Sequence, residues 1–106
     1  MPVTFVISTL KPGVDPADYE RWVRERDYAY TRSNPNFISY VVHRIDAPVE
    51  GVADAGWRYV ERIEVKDAEQ HRKDLASPEG KALLDELYGQ FLDRTKNVYI
   101  RTNVVD

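Results

Sequence analysis

The order of apolar and helical segments constrains the fold of this chain more than any other sequence feature. Four segments rich in β-branched and aromatic residues predict strands, at residues 3–10, 37–46, 57–65 and 97–105. Two helical segments lie between them, at residues 15–32 and 67–92, and Asp15-Pro16 and Ser77-Pro78 are helix-start signals within them. The predicted order is therefore β-α-β-β-α-β, with a loop at residues 47–56 between two similar halves.

This order is that of the split βαβ motif, so we predict an α+β chain with a ferredoxin-like fold. The four strands would form one antiparallel sheet, and both helices would cover the same face of it. A length of 106 residues is that of one small domain, and we expect residues 1–106 to form it.

The predicted strands are apolar on both faces. Neighbours such as Phe5 and Val6, or Val41 and Val42, are all apolar although adjacent strand residues point to opposite sides of a sheet. The helices can cover only one side, and a contiguous apolar patch is rarely left in water. We therefore expect a homodimer with two sheets packed face to face, a dimeric α+β barrel. A monomer with an imperfect apolar pattern is the alternative.

Composition and charge exclude several classes of function. The chain has no cysteine, which excludes disulfides, thiolate metal sites and thiol nucleophiles. The net charge of −3 comes from interspersed charges without a basic patch, so we expect no nucleic-acid partner. No apolar run approaches the roughly 20 residues that cross a bilayer, and no basic leader precedes the first strand. We expect no membrane association and a cytoplasmic location.

Strand pairing predicts where a binding site would form. A hairpin across the loop at residues 47–56 would place His43 opposite Tyr59. Strict alternation then puts both residues and Glu61 on one face, which we assign to the side beneath the helices because it carries the bulkiest residues. The other residues predicted to face this space are Phe5, Ile7, Trp22, Arg26, Tyr30, Trp57 and His71. Such a mainly aromatic cavity with a few polar groups suits a flat, apolar small molecule.

The polar groups of this predicted cavity suit general acid–base catalysis near neutral pH. His43 would act as the base or acid, Glu61 would orient it or act as the second acid, and Tyr59 would donate a hydrogen bond to a developing oxyanion. The tryptophans, Arg26, Tyr30 and His71 would bind the substrate.

Each assignment has a structural alternative. Glu61 would instead form an ion pair with Arg26 or Arg44. Arg26 would extend its charged end to solvent, and His71, in the charged segment HRKD, would face solvent. The aromatic residues, taken singly, are typical of an ordinary core.

Sequence motifs for cofactors are absent. The chain contains no glycine-rich phosphate loop, dinucleotide fingerprint, HExxH motif or GxSxG motif. Its two histidines, His43 and His71, have no ligand-like spacing, so we predict neither a metal nor a cofactor. An axial haem ligand at one of these histidines is the alternative.

Several segments resemble the RedY-like (HapK) family of dimeric α+β barrel proteins. They are WVRERDYAYTRSNPNFISYVVHRID at residues 22–46, GWRYVERIEV at residues 56–65 and KDAEQHRKDLASPEGKALLDELYGQF at residues 66–91. The resemblance covers nearly the whole chain. Its more specific parts are residues 22–28 and 40–44, whereas the SPEG helix break is general to the superfamily.

The resemblance implies a small biosynthetic protein. Members of the family are associated with gene clusters for pyrrole and indole pigments of the prodigiosin and bisindole type. We therefore expect a cofactor-independent cyclase or dehydratase that acts on an aromatic heterocyclic intermediate. Two alternatives stay open, because fold alone does not choose among them: a cofactorless or haem-assisted monooxygenase, and a non-catalytic protein that binds and stabilises a pathway intermediate.

Overall fold

The computed structural model describes residues 2–46 and 58–105. The elements in chain order are β1 Val3–Ser8, α1 Pro16–Trp22, a π-helical segment Val23–Asp27, α2 Tyr28–Ser33, β2 Phe37–Arg44, β3 Tyr59–Val65, α3 Ala68–Ala76, α4 Pro78–Gln90, a 3-10 turn Arg94–Lys96 and β4 Val98–Thr102. The predicted loop at residues 47–56 and the predicted binding residue Trp57 lie outside the described residues. The predicted order β-α-β-β-α-β is confirmed.

The four strands form one antiparallel sheet in the order β2-β3-β1-β4. In its centre, Val6 of β1 lies between Glu61 of β3 and Tyr99 of β4. The helices cover the face that carries these three residues, as the packing of Tyr19 in α1 against Tyr59 in β3 shows. This is the predicted ferredoxin-like α+β fold.

Short-range signals define where the helices begin. The Asp15 carboxylate accepts a hydrogen bond from the Ala17 amide at 2.9 Å, and Pro16 occupies the first turn, where no amide donor is needed. Asp67 caps α3 and Ser77 caps α4 in the same way. The helix starts predicted at Asp15-Pro16 and Ser77-Pro78 are therefore confirmed.

A π-helical segment changes which side chains of the first helix face the sheet. Residues Val23–Asp27 make one wide turn between α1 and α2. Four residues spaced four apart are buried as a result, namely Tyr19, Val23, Asp27 and Thr31. Arg26, which we predicted to face the cavity, is exposed instead. Such wide turns inside helices often occur at functional sites.

A β-bulge reverses the predicted alternation of β2. Phe37 pairs with Val65 but Ser39 pairs with Glu64, so β2 contains one extra residue between these pairs. An extra residue moves every later side chain of the strand to the opposite face. Tyr40 and Val42 therefore face the helices.

Two predicted orientations are wrong, one in β2 and one in β1. His43 pairs with Val60 and lies on the face away from the helices, whereas Arg44, not His43, lies opposite Tyr59. Phe5 and Ile7 also lie on that far face, because it is their neighbour Val6 that pairs with Glu61. In β1 and β2 the face beneath the helices is thus the one we predicted to be open, whereas in β3 the predicted face, with Glu61, is correct.

The main core lies between the helices and the sheet, around Tyr19. The ring of this fully buried residue contacts Tyr59 edge-on at 4.7 Å between centroids and lies 5.8 Å from Phe91. Trp22 packs 5.6 Å from Phe91 on the same side. These aromatic contacts attach the first helix and the end of α4 to β3.

No helix of residues 2–46 and 58–105 covers the opposite face of the sheet. Apolar side chains line it in the four strands, and two of them, Val41 and Ile100, keep 40% and 41% of their surface exposed. Phe5 and Ile7 are half-buried on the same face. Within the described residues, no helix is long and apolar enough to cross a membrane.

Candidate active site

A cavity of about 560 Å³ lies between the sheet and the helices. The sheet contributes Val6, Tyr40, Glu61 and Ile63, and the helices contribute mainly apolar side chains from both halves of the chain. The helical residues on its walls include Tyr30, Thr31, His71, Leu75, Leu83 and Leu87. The volume falls within the roughly 300–1,000 Å³ range of small-molecule sites.

Two carboxyl groups lie on the buried floor of this cavity. Asp27, at the end of the π-helical segment, is 3% exposed, and Glu61, in the middle of β3, is 6% exposed. The Tyr40 hydroxyl donates a hydrogen bond to Asp27 Oδ2 at 2.6 Å. Glu61 Oε1 is buried and has no hydrogen-bond partner among the described residues. A buried oxygen in this state is available to a ligand.

The two carboxyl groups differ in their affinity for protons. Burial raises the pKa of Asp27 to about 6, although the hydrogen bond from Tyr40 and the charge of Arg26 oppose the rise. Burial and the nearby Asp27 charge raise the pKa of Glu61 to about 8, again opposed by Tyr40. Near pH 7, Asp27 is therefore mostly ionised and Glu61 mostly protonated. This is the division expected of a general base and a general acid in one site.

Tyr40 stays protonated throughout this range. Burial raises the pKa of its hydroxyl well above the ordinary value, and the charges of Glu61 and Asp27 add to the rise. The hydroxyl is therefore a hydrogen-bond donor to Asp27 and does not itself supply a proton. It holds the Asp27 carboxylate in a defined position.

An aromatic wall stands beside the carboxyl groups, with Phe37 at its centre. The Phe37 ring meets Tyr40 at 5.9 Å, Tyr30 at 6.3 Å and His71 at 5.4 Å between centroids, each close to edge-on. Burial lowers the pKa of His71, so its imidazole is neutral near pH 7. The wall offers ring edges and faces to a flat ligand.

The cavity lining includes side chains of the types that bind metals. Asp27, Glu61 and His71 all line the cavity. Within residues 2–46 and 58–105, however, no three His, Asp or Glu side chains lie close enough to hold a metal ion together.

Nearly the whole chain fits a known sequence family. The family model of the REDY-like protein HapK matches residues 2–104. The chain belongs to the HapK family. No curated protein matches the sequence.

Solved structures similar to this HapK-family protein share its fold. HapK from Hahella chejuensis is 20% identical with a TM-score of 0.76, over 100% of this chain and 96% of that chain. The protein At3g17210 from Arabidopsis thaliana is 17% identical with a TM-score of 0.78, over 100% and 97%. A hydroxynitrile lyase from Passiflora edulis is 11% identical with a TM-score of 0.78, over 99% and 94%. At these identities the likeness shows the fold alone.

Three of the predicted site residues of this HapK-family protein line the cavity. Glu61 lies on its floor, and Tyr30 and His71 lie on its walls. The alternative interpretation that His71 faces solvent is wrong, since its Nδ1 atom is buried. The predicted aromatic cavity beneath the helices is present, although it forms on the other face of β1 and β2 than we expected.

Four other predicted site residues lie elsewhere. His43 is exposed on the far face of the sheet. Tyr59 is buried in the core and donates its hydroxyl to Glu20 at 2.8 Å. Trp22 is also in the core, and Arg26 is exposed and forms an ion pair with Glu86. The alternative that Arg26 extends to solvent is thus the one that the structure shows.

Sequence reasoning missed Asp27 and Tyr40. Tyr19, Val23 and Asp27 are spaced four residues apart, so they lie along one side of the helix. This spacing could have predicted that Asp27 faces inward. Tyr40 had no comparable signal, because its orientation follows from the bulge after Phe37.

Proposed function

We propose that this HapK-family chain is a cytoplasmic, cofactor-independent enzyme that moves protons on an apolar aromatic intermediate. One observation carries the proposal: two buried carboxyl groups, Asp27 and Glu61, lie on the floor of an aromatic cavity with pKa values of about 6 and about 8. Perturbed pKa values of this kind, at one concave site, are typical of catalytic acids and bases.

The two groups would act in sequence on one substrate. The Asp27 carboxylate would remove a proton from a carbon of the substrate, while Tyr40 holds the carboxylate in place. Protonated Glu61 would deliver its proton to the oxygen on which negative charge develops. If that oxygen leaves as water the reaction is a dehydration, and if it stays the reaction is an isomerisation or the proton-transfer step of a cyclisation.

The cavity and the family together indicate the substrate class. The walls around Phe37 and Tyr30 are aromatic, and the leucines of α3 and α4 add apolar side chains to the lining. This lining suits a flat, conjugated ring system. Membership of the HapK family supports a pyrrole or indole intermediate of pigment biosynthesis, of the prodigiosin or bisindole type.

A probe reaction tests for the base without knowledge of the substrate. In 5-nitrobenzisoxazole, a base removes the ring C–H proton, the N–O bond breaks, and a yellow cyanophenolate forms. We expect the wild-type chain to accelerate this reaction at least about tenfold over Asp27→Asn, below the roughly 10²–10⁴ of general bases on their own substrates. The rate should rise with pH around a midpoint near 6, because the active form is the Asp27 carboxylate.

Matched variants separate this site from the one predicted from sequence. His43→Ala should keep the wild-type rate, because His43 lies on the far face of the sheet. Equal rates in wild-type protein and Asp27→Asn would refute the proposed base. Loss of the rate in His43→Ala alone would return the catalytic role to the histidine.

We also propose that residues 1–106 form one domain that pairs with a second copy. The apolar sheet face around Val41 and Ile100 supports this, since no helix of the described residues covers it. A Thermobifida fusca protein with a TM-score of 0.69 is described as a dimeric ferredoxin-like protein. Packing of two such faces would complete a dimeric α+β barrel.

A further inference from the structure

The mouth of the cavity differs in charge from the rest of the molecule. Of the residues that line the cavity, five are exposed and therefore mark its opening: Glu69, Arg72, Arg94, Tyr99 and Arg101. Three of these are cationic and one is anionic, although the chain as a whole has a net charge of −3. A positive opening on a negative protein attracts anionic ligands.

Two of the three arginines are available to a ligand. Arg72 forms an ion pair with Glu69, one turn earlier on α3, which neutralises both. Arg94 and Arg101 form no ion pair among the described residues. In sequence they flank Tyr99, since Arg94 precedes β4 and Arg101 lies within that strand.

Arg94 is held in place by aromatic contacts. Its guanidinium carbon lies 4.8 Å from the centroid of the Tyr88 ring, a cation–π geometry. The Tyr88 hydroxyl is in turn hydrogen-bonded to the Tyr99 hydroxyl and accepts a hydrogen bond from Asn97 Nδ2 at 2.9 Å. A guanidinium positioned by such contacts loses less conformational entropy when it binds an anion.

Arg101 is positioned by the sheet. It pairs with Thr4 of β1, and both residues line the cavity together with Tyr99. Its charge is close enough to act on His71 of α3, which also lines the cavity. Arg101 therefore lies at the entrance of the cavity, on the sheet side of it.

We propose that Arg94 and Arg101 bind an oxyanion group of the substrate at the mouth of the cavity. The substrate would then be an amphipathic aromatic acid, with its ring system against Phe37 and its reacting carbon near Asp27. Guanidinium groups bind carboxylates through paired hydrogen bonds, so a carboxylate is the best match. This inference rests on the proposed function, because it adds the anionic end to the same aromatic substrate.

Two fluorescent probes of the same skeleton test the inference by binding alone. 8-Anilinonaphthalene-1-sulfonate carries an oxyanion, and N-phenyl-1-naphthylamine is the same molecule without it. We expect the wild-type chain to bind the sulfonate more tightly. Arg94→Gln and Arg101→Gln should each weaken sulfonate binding about two- to fivefold, the range for exposed charge pairs, and leave binding of the neutral probe unchanged. Added salt should reduce the preference.

The control is Arg24→Gln, which removes an exposed arginine that does not line the cavity. It should leave both affinities unchanged. Three results would each overturn the inference. The wild-type chain could bind the two probes equally well, both probes could fail to bind, or the variant carrying both Arg94→Gln and Arg101→Gln could still prefer the sulfonate. Asp27→Asn should lower turnover of the benzisoxazole at least about tenfold and keep the preference for the sulfonate. Failure of the proposed catalysis and failure of the anion site are therefore distinguishable.

Discussion

Replacing Glu61 with Gln should remove a pH dependence from the stability of this protein. The pKa of Glu61 is raised from 4.5 to about 8 in the folded chain, mainly by burial and secondly by the charge of Asp27. Between these values the folded chain holds a proton that the unfolded chain has lost. The free energy of unfolding therefore falls as pH rises through this interval, and the stabilisation is complete only below pH 4.5.

The expected magnitude follows from linkage. One pKa unit corresponds to about 1.4 kcal/mol, so the full shift of Glu61 amounts to about 4–5 kcal/mol. More than half of this stabilisation is lost between about pH 4.5 and about pH 6.5. From about pH 6.5 to about pH 9 the free energy of unfolding of the wild-type chain should therefore fall by the remainder, about 2 kcal/mol. For a domain of this size that loss lowers the melting temperature by roughly 8–16 °C.

Other titrating groups act outside this interval. The lowered pKa of His71 costs stability as pH falls, below its ordinary value of 6.5. The raised pKa of Asp27, about 6, has almost its whole effect below pH 7. The buried tyrosines, whose pKa values are raised above 10, act at higher pH still. The slope between pH 6.5 and 9 therefore reports mainly on Glu61.

Urea unfolding followed by tryptophan fluorescence, at several pH values in this range, measures the effect. Glu61→Gln should show a nearly flat profile, and the wild-type chain should show the decline. Glu25→Gln, which removes an exposed carboxyl group, is the control and should keep the wild-type slope. The same slope in Glu61→Gln as in the wild-type chain would refute the assigned burial and pKa of Glu61.

Two further predictions concern packing and assembly. A Cβ atom at Gly80 would lie 2.1 Å from the Asp74 carbonyl oxygen, so Gly80→Ala should lower the free energy of unfolding by about 1–3 kcal/mol. At Gly89 a Cβ atom would have no neighbour within 4 Å, so Gly89→Ala should instead raise the free energy of unfolding by about 0.5–1 kcal/mol. Urea unfolding of both variants tests whether α3 and α4 pack this closely. The wild-type chain should have the mass of two chains in light scattering, and Val41→Lys should reduce the mass to that of one chain. Ala29→Lys, at an exposed position of α2, should leave the mass unchanged. A single-chain mass for the wild type would contradict the proposed dimer.

Part of the candidate site could be predicted because it depends on few assumptions. Glu61 lies in the middle of β3, a strand without irregularity, so its alternation relative to Tyr59 was correct. His71 follows the capping residue Asp67 closely, and its place on α3 was therefore well defined. The prediction of an aromatic cavity beneath the helices required only the order of the elements and their apolar residues.

The remaining part failed at two irregularities. The bulge after Phe37 turned Tyr40 inward and His43 outward, and the π-helical segment buried Asp27 where a regular stripe had indicated Arg26. Each irregularity shifts the phase of one element by a single residue. A shift of that size exchanges the two faces of a strand, so the one extra residue in β2 removed His43 from the predicted catalytic set and brought in Tyr40.

The sequence by itself determined the elements, their order and the ends of the helices, because capping residues, prolines and β-branched segments act on their immediate neighbours in the chain. Only the tertiary structure decided which side of each element faces the cavity. The segments FISYVVHR and VRERD contain no local signal for a bulge or a wide turn. These features depend on packing against distant residues: Tyr40 reaches Asp27 and β2 pairs with β3 only in the folded chain.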